Sequence, residues 1–268
     1  MKTVFGILRE GYAHTPSGRM FFRSTGLTMA LMAALVLGSC SKESTQPEIR
    51  DSHLKATWGS CDQWATWSNG GYTLYNNIWG SGAGSQCIWA NSYSNWGVWA
   101  NHPNTGGIKS YPNSEKVVNK KLSALGALTS SFSCTVPSSG AYNTAYDVWS
   151  ANYTYEIMIW MNWRGGVKPI SAQWDASGNP VPTYRNVSVG GHSWNVYQGS
   201  NGSNKVISLL RTSNAYSGTV DIKAILNWIK SKGIFGDITV YKVQLGWEIT
   251  SSSGGLNFQM NSYSVTAQ

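Results

Sequence analysis

The stretch that decides the fold is a short strand-like run near the middle of the chain, Tyr155-Glu156-Ile157-Met158-Ile159-Trp160-Met161. Its residues are mostly β-branched, aromatic or sulphur-containing and alternate with the two-residue period of a β-strand. One face therefore presents a tyrosine and two isoleucines to a core, and the other presents Glu156, Met158 and Trp160. An acid between large apolar groups is an unusual solvent face for a strand. We therefore predict that this second face is the floor of a groove.

A second strand is predicted just upstream, at residues 145–149, where Asp147 and Trp149 share one face. Only a few residues around Asn152 separate the two runs, which favours a hairpin. A hairpin would bring Asp147 close to Glu156, and two carboxylates on one face repel unless one holds a proton or is hydrogen-bonded to the other. Such pairing tunes a pKa. The alternative, two unrelated strand acids that face water, stays open on this segment alone.

The composition favours one large β domain with an uncharged partner. The 268 residues carry a formal net charge of +8, and turn residues recur at short intervals with no linker between them. Beyond residue 57 the only adjacent basic pair is Lys120 and Lys121, so no basic stripe suited to nucleic acid is present in the sequence. Fourteen Trp and fourteen Tyr indicate a ligand recognised by flat apolar faces with polar tips.

Residues 1–39 are predicted to be an export signal. Two arginines precede an apolar run at residues 27–37, and small residues then lead to Cys40. The apolar run is too short to span a bilayer comfortably. The end of this segment resembles a bacterial lipobox, which predicts lipidation of Cys40 and an outer-membrane or cell-surface lipoprotein; ordinary secretion is the alternative. Because residues 1–18 suit a signal poorly, the true start is predicted at Met20.

Residues 40–56 are predicted to form a flexible tether, because they carry many charges and few apolar side chains. The folded domain is predicted over residues 57–268. In an exported protein, Cys61 and Cys87 are the pair most favoured to form a disulfide. Cys134 is then left over, although the sequence does not forbid its pairing with either of the other two.

One helix is predicted, at residues 221–232. Ile222, Ile225 and Ile229 recur at helical spacing, and Gly233 follows as a stop. Strand period returns at residues 240–250, where Glu248 lies on the face opposite a row of apolar side chains. A single helix in a strand-rich chain indicates an all-β sandwich.

Residues 57–268 contain eight Asp and Glu, and these can be sorted by context. Five are assigned to a helix cap, turns or loops: Asp62, Glu115, Asp175, Asp221 and Asp237. The other three lie on predicted strands, on the polar face of an alternating pattern: Asp147, Glu156 and Glu248. Hydrolysis of a glycosidic bond needs two carboxyl groups that flank the scissile oxygen, one of them protonated in a cleft that raises its pKa. These three acids could supply that set.

Other chemistries lack their motifs in this sequence. The four His show no metal-ligand spacing, no phosphate-binding Gly loop precedes a helix, and no Gly-x-Ser-x-Gly elbow is present. Nothing favours Ser or Cys nucleophiles with His102 or His192. We expect no metal and no organic cofactor.

The chain resembles glycoside hydrolase family 12, the small endo-β-1,4-glucanases or cellulases. The matching stretches occur in family order: Cys61-Asp62-Gln63-Trp64-Ala65-Thr66, Asn76-Asn77-Ile78-Trp79-Gly80, Lys109-Ser110-Tyr111, Ala145-Tyr146-Asp147, Tyr155-Glu156-Ile157-Met158-Ile159-Trp160, Ser217-Gly218 and Gly246-Trp247-Glu248. The resemblance implies an all-β jelly-roll sandwich of two curved antiparallel sheets, with one α-helix and an open cleft on the concave sheet. Residues 57–268 would be its catalytic domain.

The resemblance also implies roles for individual residues. Glu156 matches the nucleophile of a retaining mechanism, Glu248 the general acid/base, and Asp147 an acid hydrogen-bonded to the nucleophile. Six further residues match substrate-binding positions, the first three on the glycone side and the others on the cleft floor: Trp64, Asn77, Trp79, Asn143, Met158 and Trp160.

The predicted activity is hydrolysis of internal bonds of cellulose or mixed-linkage β-glucan by a monomer. Within the enzyme class, xyloglucan is the alternative substrate, because a side-chain-tolerant cleft needs only loop changes. From another class, the rival is a non-catalytic surface lipoprotein that binds glycan on Trp79 and its neighbours. That reading explains the aromatic residues but leaves the three strand acids without a purpose.

Overall fold

The computed structural model describes residues 55–268, which form two packed β-sheets and one α-helix. The predicted signal at residues 1–39, the predicted start at Met20 and the predicted lipidation site Cys40 lie outside the described residues. The predicted tether lies outside them too, apart from its last two residues. Within residues 55–268, no helix is long and apolar enough to cross a membrane.

The strands are short to medium in length and are joined by tight turns. In chain order they are β1 (Trp58–Ser60), β2 (Thr66–Asn69), β3 (Tyr72–Tyr75), β4 (Ser85–Ser92), β5 (Asn95–Asn101), β6 (Asn113–Lys121), β7 (Leu128–Thr135), β8 (Ala141–Ser150), β9 (Tyr155–Arg164), β10 (Tyr184–Val189), β11 (His192–Ser200), β12 (Lys205–Arg211), β13 (Ser217–Asp221), β14 (Thr239–Ser251) and β15 (Leu256–Ala267). The helix α1 spans Ile222–Ser231, and single 3-10 turns span Leu122–Ala124 and Ala151–Tyr153.

The two sheets have the crossed strand order of a jelly-roll sandwich, as predicted. One has six strands in the order β1-β4-β5-β15-β7-β13, and the other has nine in the order β10-β11-β12-β9-β8-β14-β6-β3-β2. Neighbouring strands are antiparallel except β9 and β12, which are parallel. The parallel pair arises because the chain leaves β9, builds β10 and β11 further out in the sheet, and returns beside β9 in the same direction.

The core lies between the sheets and follows the alternation seen in the sequence. Ile157 and Ile159 of β9 and Leu245 and Trp247 of β14 are fully buried there. The helix adds its apolar stripe to the same core, and the Asp221 side chain caps it by accepting a hydrogen bond of 2.9 Å from the Ala224 amide. The other face of the nine-stranded sheet is thereby left for the polar and aromatic side chains of a cleft.

The N-terminal strands are tied together by a disulfide. It joins Cys61 and Cys87, as predicted, and Cys134 is a free, buried cysteine. Cys61 lies in the segment that leads from β1 into β2 of the nine-stranded sheet, and Cys87 lies on β4 of the six-stranded sheet. The disulfide therefore links the segment before β2 to the other sheet.

Candidate active site

Three neighbouring strands bring the three predicted acids to one face of the nine-stranded sheet. In the register of β8, β9 and β14, Glu156 lies opposite Trp149, Asp147 lies between Met158 and Gln244, and Glu248 lies opposite Asn143. Paired residues point to the same side of a sheet, so all three carboxyl groups face away from the core. Alternation within each strand predicted the face, and the strand order decides that the three strands are neighbours.

Two pockets lie on this face and meet at Glu248. The first pocket has a volume of 390 Å³ and contains all three carboxyl groups. Its lining residues are Tyr75, Asn77, Trp79, Tyr111, Asn113, Glu115, Asp147, Trp149, Tyr153, Glu156, Asn201, Lys242, Gln244 and Glu248. The second pocket, of 320 Å³, is lined by Asn104, Gly107, Ile108, Ala141, Asn143, Trp160, Gly165, Gly166, Val167, Lys168, Glu248 and Thr250. Because Glu248 lines both, a chain-like ligand laid along the cleft would pass its carboxyl group.

The carboxyl groups have raised pKa values because they are withdrawn from water and lie close together. Burial, with the charge of Glu248 as a second cause, raises the pKa of Glu156 to about 7. Burial also raises the pKa of Glu248 to about 7. The pKa of Asp147 lies well above its usual range, through burial and then repulsion by Glu156 and Glu248. The cluster therefore retains protons near neutral pH, as an acid catalyst requires.

Two asparagine amides hold the two glutamates. Asn143 Nδ2 donates a hydrogen bond of 2.5 Å to Glu248 Oε2, and Asn201 Nδ2 donates one of 3.2 Å to Glu156 Oε2. Within the described chain Asp147 Oδ1 is buried without a donor. A hydrogen bond between Asp147 and Glu156 needs a proton on one of the two carboxyl groups, which their raised pKa values favour. That hydrogen bond stays a prediction.

The predicted substrate-binding residues divide between the pockets and their surroundings. Asn77 and Trp79 line the first pocket, and Asn143 and Trp160 line the second. Asn77 has a left-handed backbone (φ 47°), which Asn tolerates, and its side chain donates a hydrogen bond of 3.1 Å to the Tyr111 carbonyl. This contact fixes the loop that precedes Trp79.

Two of the predicted binding residues line neither pocket. Met158 was expected on an open cleft floor, but it is only 3% exposed, because Val167 and Ile170 of the loop after β9 pack on the cluster of apolar residues around it. Its role there is packing beneath one wall of the cleft. Trp64 is 61% exposed and lies in the loop between β1 and β2, outside the residues that line the two pockets.

One acid lies elsewhere than predicted. Glu115 was assigned to a loop, but it lies on β6, is buried, and lines the first pocket. The error arose because residues 113–117 begin a strand directly after a proline, where alternation is hard to recognise. Asn201, Lys242, Gln244 and Tyr75 also line this pocket and were not identified. Lys242 and Gln244 carry the same alternation as Glu248, so the signal was available in β14.

The arrangement suits acid/base and nucleophilic chemistry on a neutral chain-like ligand. It offers two carboxyl groups beside a third, aromatic walls and amide donors. Across residues 55–268, no group of three or more His, Cys, Asp or Glu side chains has a geometry suited to a metal ion.

Comparison with known proteins gives consistent matches. The family profile described as Glycosyl hydrolase family 12 matches residues 70–268. A probable xyloglucan-specific endo-β-1,4-glucanase A from Aspergillus terreus is 35% identical over 223 residues, which cover 77% of this chain and 86% of that protein.

Solved structures agree with the sequence matches. The xyloglucanase domain of NopAA, a type three effector from Sinorhizobium fredii solved in complex with cellobiose, is 49% identical with a TM-score of 0.78, covering 80% of this chain and all of that one. A native family 12 xyloglucanase from Bacillus licheniformis is 28% identical with a TM-score of 0.67, covering 79% of this chain and all of that one. The chain described here therefore belongs to glycosyl hydrolase family 12 and is a glycoside hydrolase.

Proposed function

We propose that this chain is a retaining endo-β-1,4-glucanase that cleaves xyloglucan. The observation that carries the proposal is the meeting of Asp147, Glu156 and Glu248 on one face of the sheet, with Glu248 at the junction of two pockets. An endo-acting enzyme needs a cleft that continues on both sides of the scissile bond. The first pocket would hold the glycone, and the second pocket would hold the aglycone.

The two glutamates take separate roles in a double displacement. Glu156 attacks the anomeric carbon while Glu248 donates its proton to the leaving glycosidic oxygen, so that the C–O bond breaks as the glycosyl ester forms. A water molecule then attacks the same carbon, Glu248 takes its proton, and Glu156 leaves as the carboxylate. Glu248 thus alternates between acid and base, which suits a pKa of about 7.

The neighbours of Glu156 favour its role as nucleophile. A nucleophile must be ionised, and Asn201 Nδ2 donates to one of its oxygens. Asp147, whose pKa is raised well above its usual range, would carry a proton at neutral pH and so would add a donor rather than a like charge. Asp147 is therefore a positioning residue in this proposal.

Xyloglucan is proposed ahead of unbranched glucans on two grounds. The sequence alone favoured cellulose or mixed-linkage β-glucan, but the relatives above are described as xyloglucan-specific or as xyloglucanases. In addition, Gly107 and Gly166 line the second pocket, and a Cβ added at either would have no neighbouring atom within 4 Å. Space at these positions would accommodate branches on the glucan backbone. Unbranched β-glucan is the second candidate.

We also propose that the enzyme is exported and anchored through a lipidated Cys40, as the sequence of the leader favours. The test is metabolic labelling with a palmitate analogue, followed by membrane fractionation. We expect the wild-type chain to be labelled and to remain in the membrane fraction. We expect the Cys40→Ala chain to be unlabelled and released. An unlabelled wild-type chain in the medium would favour ordinary secretion.

The activity is tested with the wild-type chain and two isosteric variants, Glu156→Gln and Glu248→Gln. Reducing ends released from xyloglucan, barley β-glucan and carboxymethylcellulose are measured, and we expect wild-type turnover to be highest on xyloglucan. Each variant should fold and lose roughly 10³-fold or more in kcat, the scale of losing an acid/base or nucleophile.

Two results would count against the proposal. Substantial turnover by either variant would remove that glutamate from its role. Proton NMR of the first products should show the β-anomer, because two displacements restore the configuration, and an α-anomer would mean that the mechanism is inverting. Higher turnover on barley β-glucan than on xyloglucan would favour the second candidate substrate.

A further inference from the structure

The first pocket contains a charged pair that the catalytic steps do not use. Lys242 Nζ lies 2.8 Å from Glu115 Oε2, with side chains only 14% and 8% exposed. A pair this far withdrawn from water is weak evidence for stability, because loss of hydration offsets much of the attraction. Because both side chains line the first pocket, binding of the ligand is the better explanation for the pair.

A hydrogen-bonded network holds both charged groups in place. Gln244 Nε2 donates to Glu115 Oε2 at 2.8 Å, and Gln244 Oε1 accepts from Trp149 Nε1 at 2.9 Å. The Tyr75 hydroxyl donates to Glu115 Oε1 at 3.3 Å. A group whose rotamer is fixed before the ligand arrives loses less entropy on binding, so this network is preorganised for recognition.

The Lys242 ammonium group is also held by aromatic rings. It lies 5.4 Å from the Tyr153 ring centroid and 5.6 Å from the Tyr241 ring centroid. An ammonium group has three N–H donors, and Glu115 takes one of them. Glu115 Oε1 likewise has one protein donor and capacity for a second. Both groups can therefore bind hydroxyl groups while they remain paired.

Glu115 lies away from the reacting carboxyl groups, whereas Lys242 is on the strand next to β8 and its charge acts against the raised pKa of Asp147. Asp147 on β8 is opposite Gln244 on β14, which is opposite Glu115 on β6. Two strand spacings separate Asp147 from Glu115, about 10 Å. This is longer than one pyranose ring, so Glu115, with the Lys242 ammonium group that it holds, would meet a sugar beyond the one that reacts.

We infer that Glu115 and Lys242 form a sugar subsite at the far end of the glycone half, where they hydrogen-bond the hydroxyl groups of a glucosyl unit distant from the scissile bond. This inference rests on the proposed function. Hydrogen bonds from charged groups to hydroxyls are stronger than neutral ones. The subsite makes the reaction rate depend on glycone length.

The test compares two substrates that share a leaving group and differ only in glycone length. These are the 2-chloro-4-nitrophenyl β-glycosides of cellobiose and of cellotetraose. The measured quantity is the ratio of kcat/KM for the longer to that for the shorter glycoside. We expect a high ratio for the wild-type chain and a fall of about tenfold or more for Glu115→Gln, the effect of losing a charged hydrogen bond.

Removing one member of a buried pair can unfold a protein, so the double variant Glu115→Gln/Lys242→Met is measured as well, because it leaves no unpaired charge. Thermal melting checks that each variant is folded. Lys120→Met is the matched control, because Lys120 is exposed on the same strand β6 and lines neither pocket. Its ratio should equal that of the wild type.

The outcomes separate this inference from the proposed function. A wild-type chain that releases neither chloronitrophenol nor reducing ends from any glucan would refute the function. An active wild type that gains nothing from the longer glycoside would refute the subsite. A folded double variant whose ratio is unchanged, or whose kcat/KM falls equally on both glycosides, would assign Glu115 and Lys242 to structure alone.

Discussion

Asn143 Nδ2 donates a hydrogen bond of 2.5 Å to Glu248 Oε2, between directly opposed residues of β8 and β14. Burial raises the pKa of Glu248 to about 7, and this hydrogen bond acts against that rise. The strand pairing thus places a donor on the proposed acid/base and moderates its proton affinity.

The first prediction concerns Asn143→Ala. Without the donor, the ionised form of Glu248 is less stable, so its pKa should rise further. The basic limb of the kcat/KM profile reports the acid of the free enzyme, and it should move to higher pH by about one unit. Asn257→Ala is the control, because Asn257 is exposed on β15 in the other sheet. A basic limb that stays in place or moves to lower pH would contradict the assignment.

The second prediction concerns stability against pH. Carboxyl groups with pKa values of about 7 in the folded chain and near 4.5 when unfolded bind more protons in the folded state between these values. They contribute stability that is present below about pH 4.5 and is lost as the pH rises through 7. Thermal unfolding should therefore show a higher midpoint at pH 5 than at pH 7.5.

The variant Glu248→Gln tests the source of that pH dependence. Because it removes a carboxylate that is costly to ionise, it should raise the midpoint at pH 7.5 by several degrees, since 1 kcal/mol shifts a domain of this size by about 2–4 °C. At pH 4 the variant and the wild type should melt within a degree or two of each other. A variant that is less stable than the wild type at pH 7.5 would contradict the raised pKa.

The third prediction concerns Trp79, which lines the first pocket and is 50% exposed. A half-exposed aromatic face gives a sugar ring an apolar surface, so Trp79→Ala should raise KM for xyloglucan roughly tenfold, equivalent to about 1.4 kcal/mol of binding. Trp174 is a matched control, because it is also 50% exposed but lines neither pocket of the cleft. Equal effects of Trp79→Ala and Trp174→Ala on KM would remove the special role of Trp79.

The fourth prediction concerns the disulfide between Cys61 and Cys87, which closes a loop with a sequence separation of 26. The double variant Cys61→Ser/Cys87→Ser should be less stable by about 3 kcal/mol, because its unfolded chain is less constrained. Urea unfolding measures the difference. Dithiothreitol should destabilise the wild type and have no effect on the double variant. A reductant effect on the variant would point to Cys134 or to another cause.

The parts of the fold and of the site that could be predicted are those that depend on local residue patterns. The strands around Glu156 and Glu248 and the helix capped by Asp221 follow from residue periodicity and capping, which depend on the backbone of a few consecutive residues. The same alternation identified Asp147, Glu156 and Glu248 as groove-facing acids. Glu115 was not recognised as a groove-facing acid, because a strand that starts after a proline shows too little alternation to be identified.

By itself, therefore, the sequence determined which side chains share a face, and it determined the order of motifs through which the family was identified. The tertiary structure decided what depends on strand order and register. It placed Glu115 beside Lys242, set Asn143 opposite Glu248, and covered Met158 with the loop after β9. The physical reason is that side-chain direction is a local property of the backbone, whereas strand neighbours are chosen by packing across the whole sandwich.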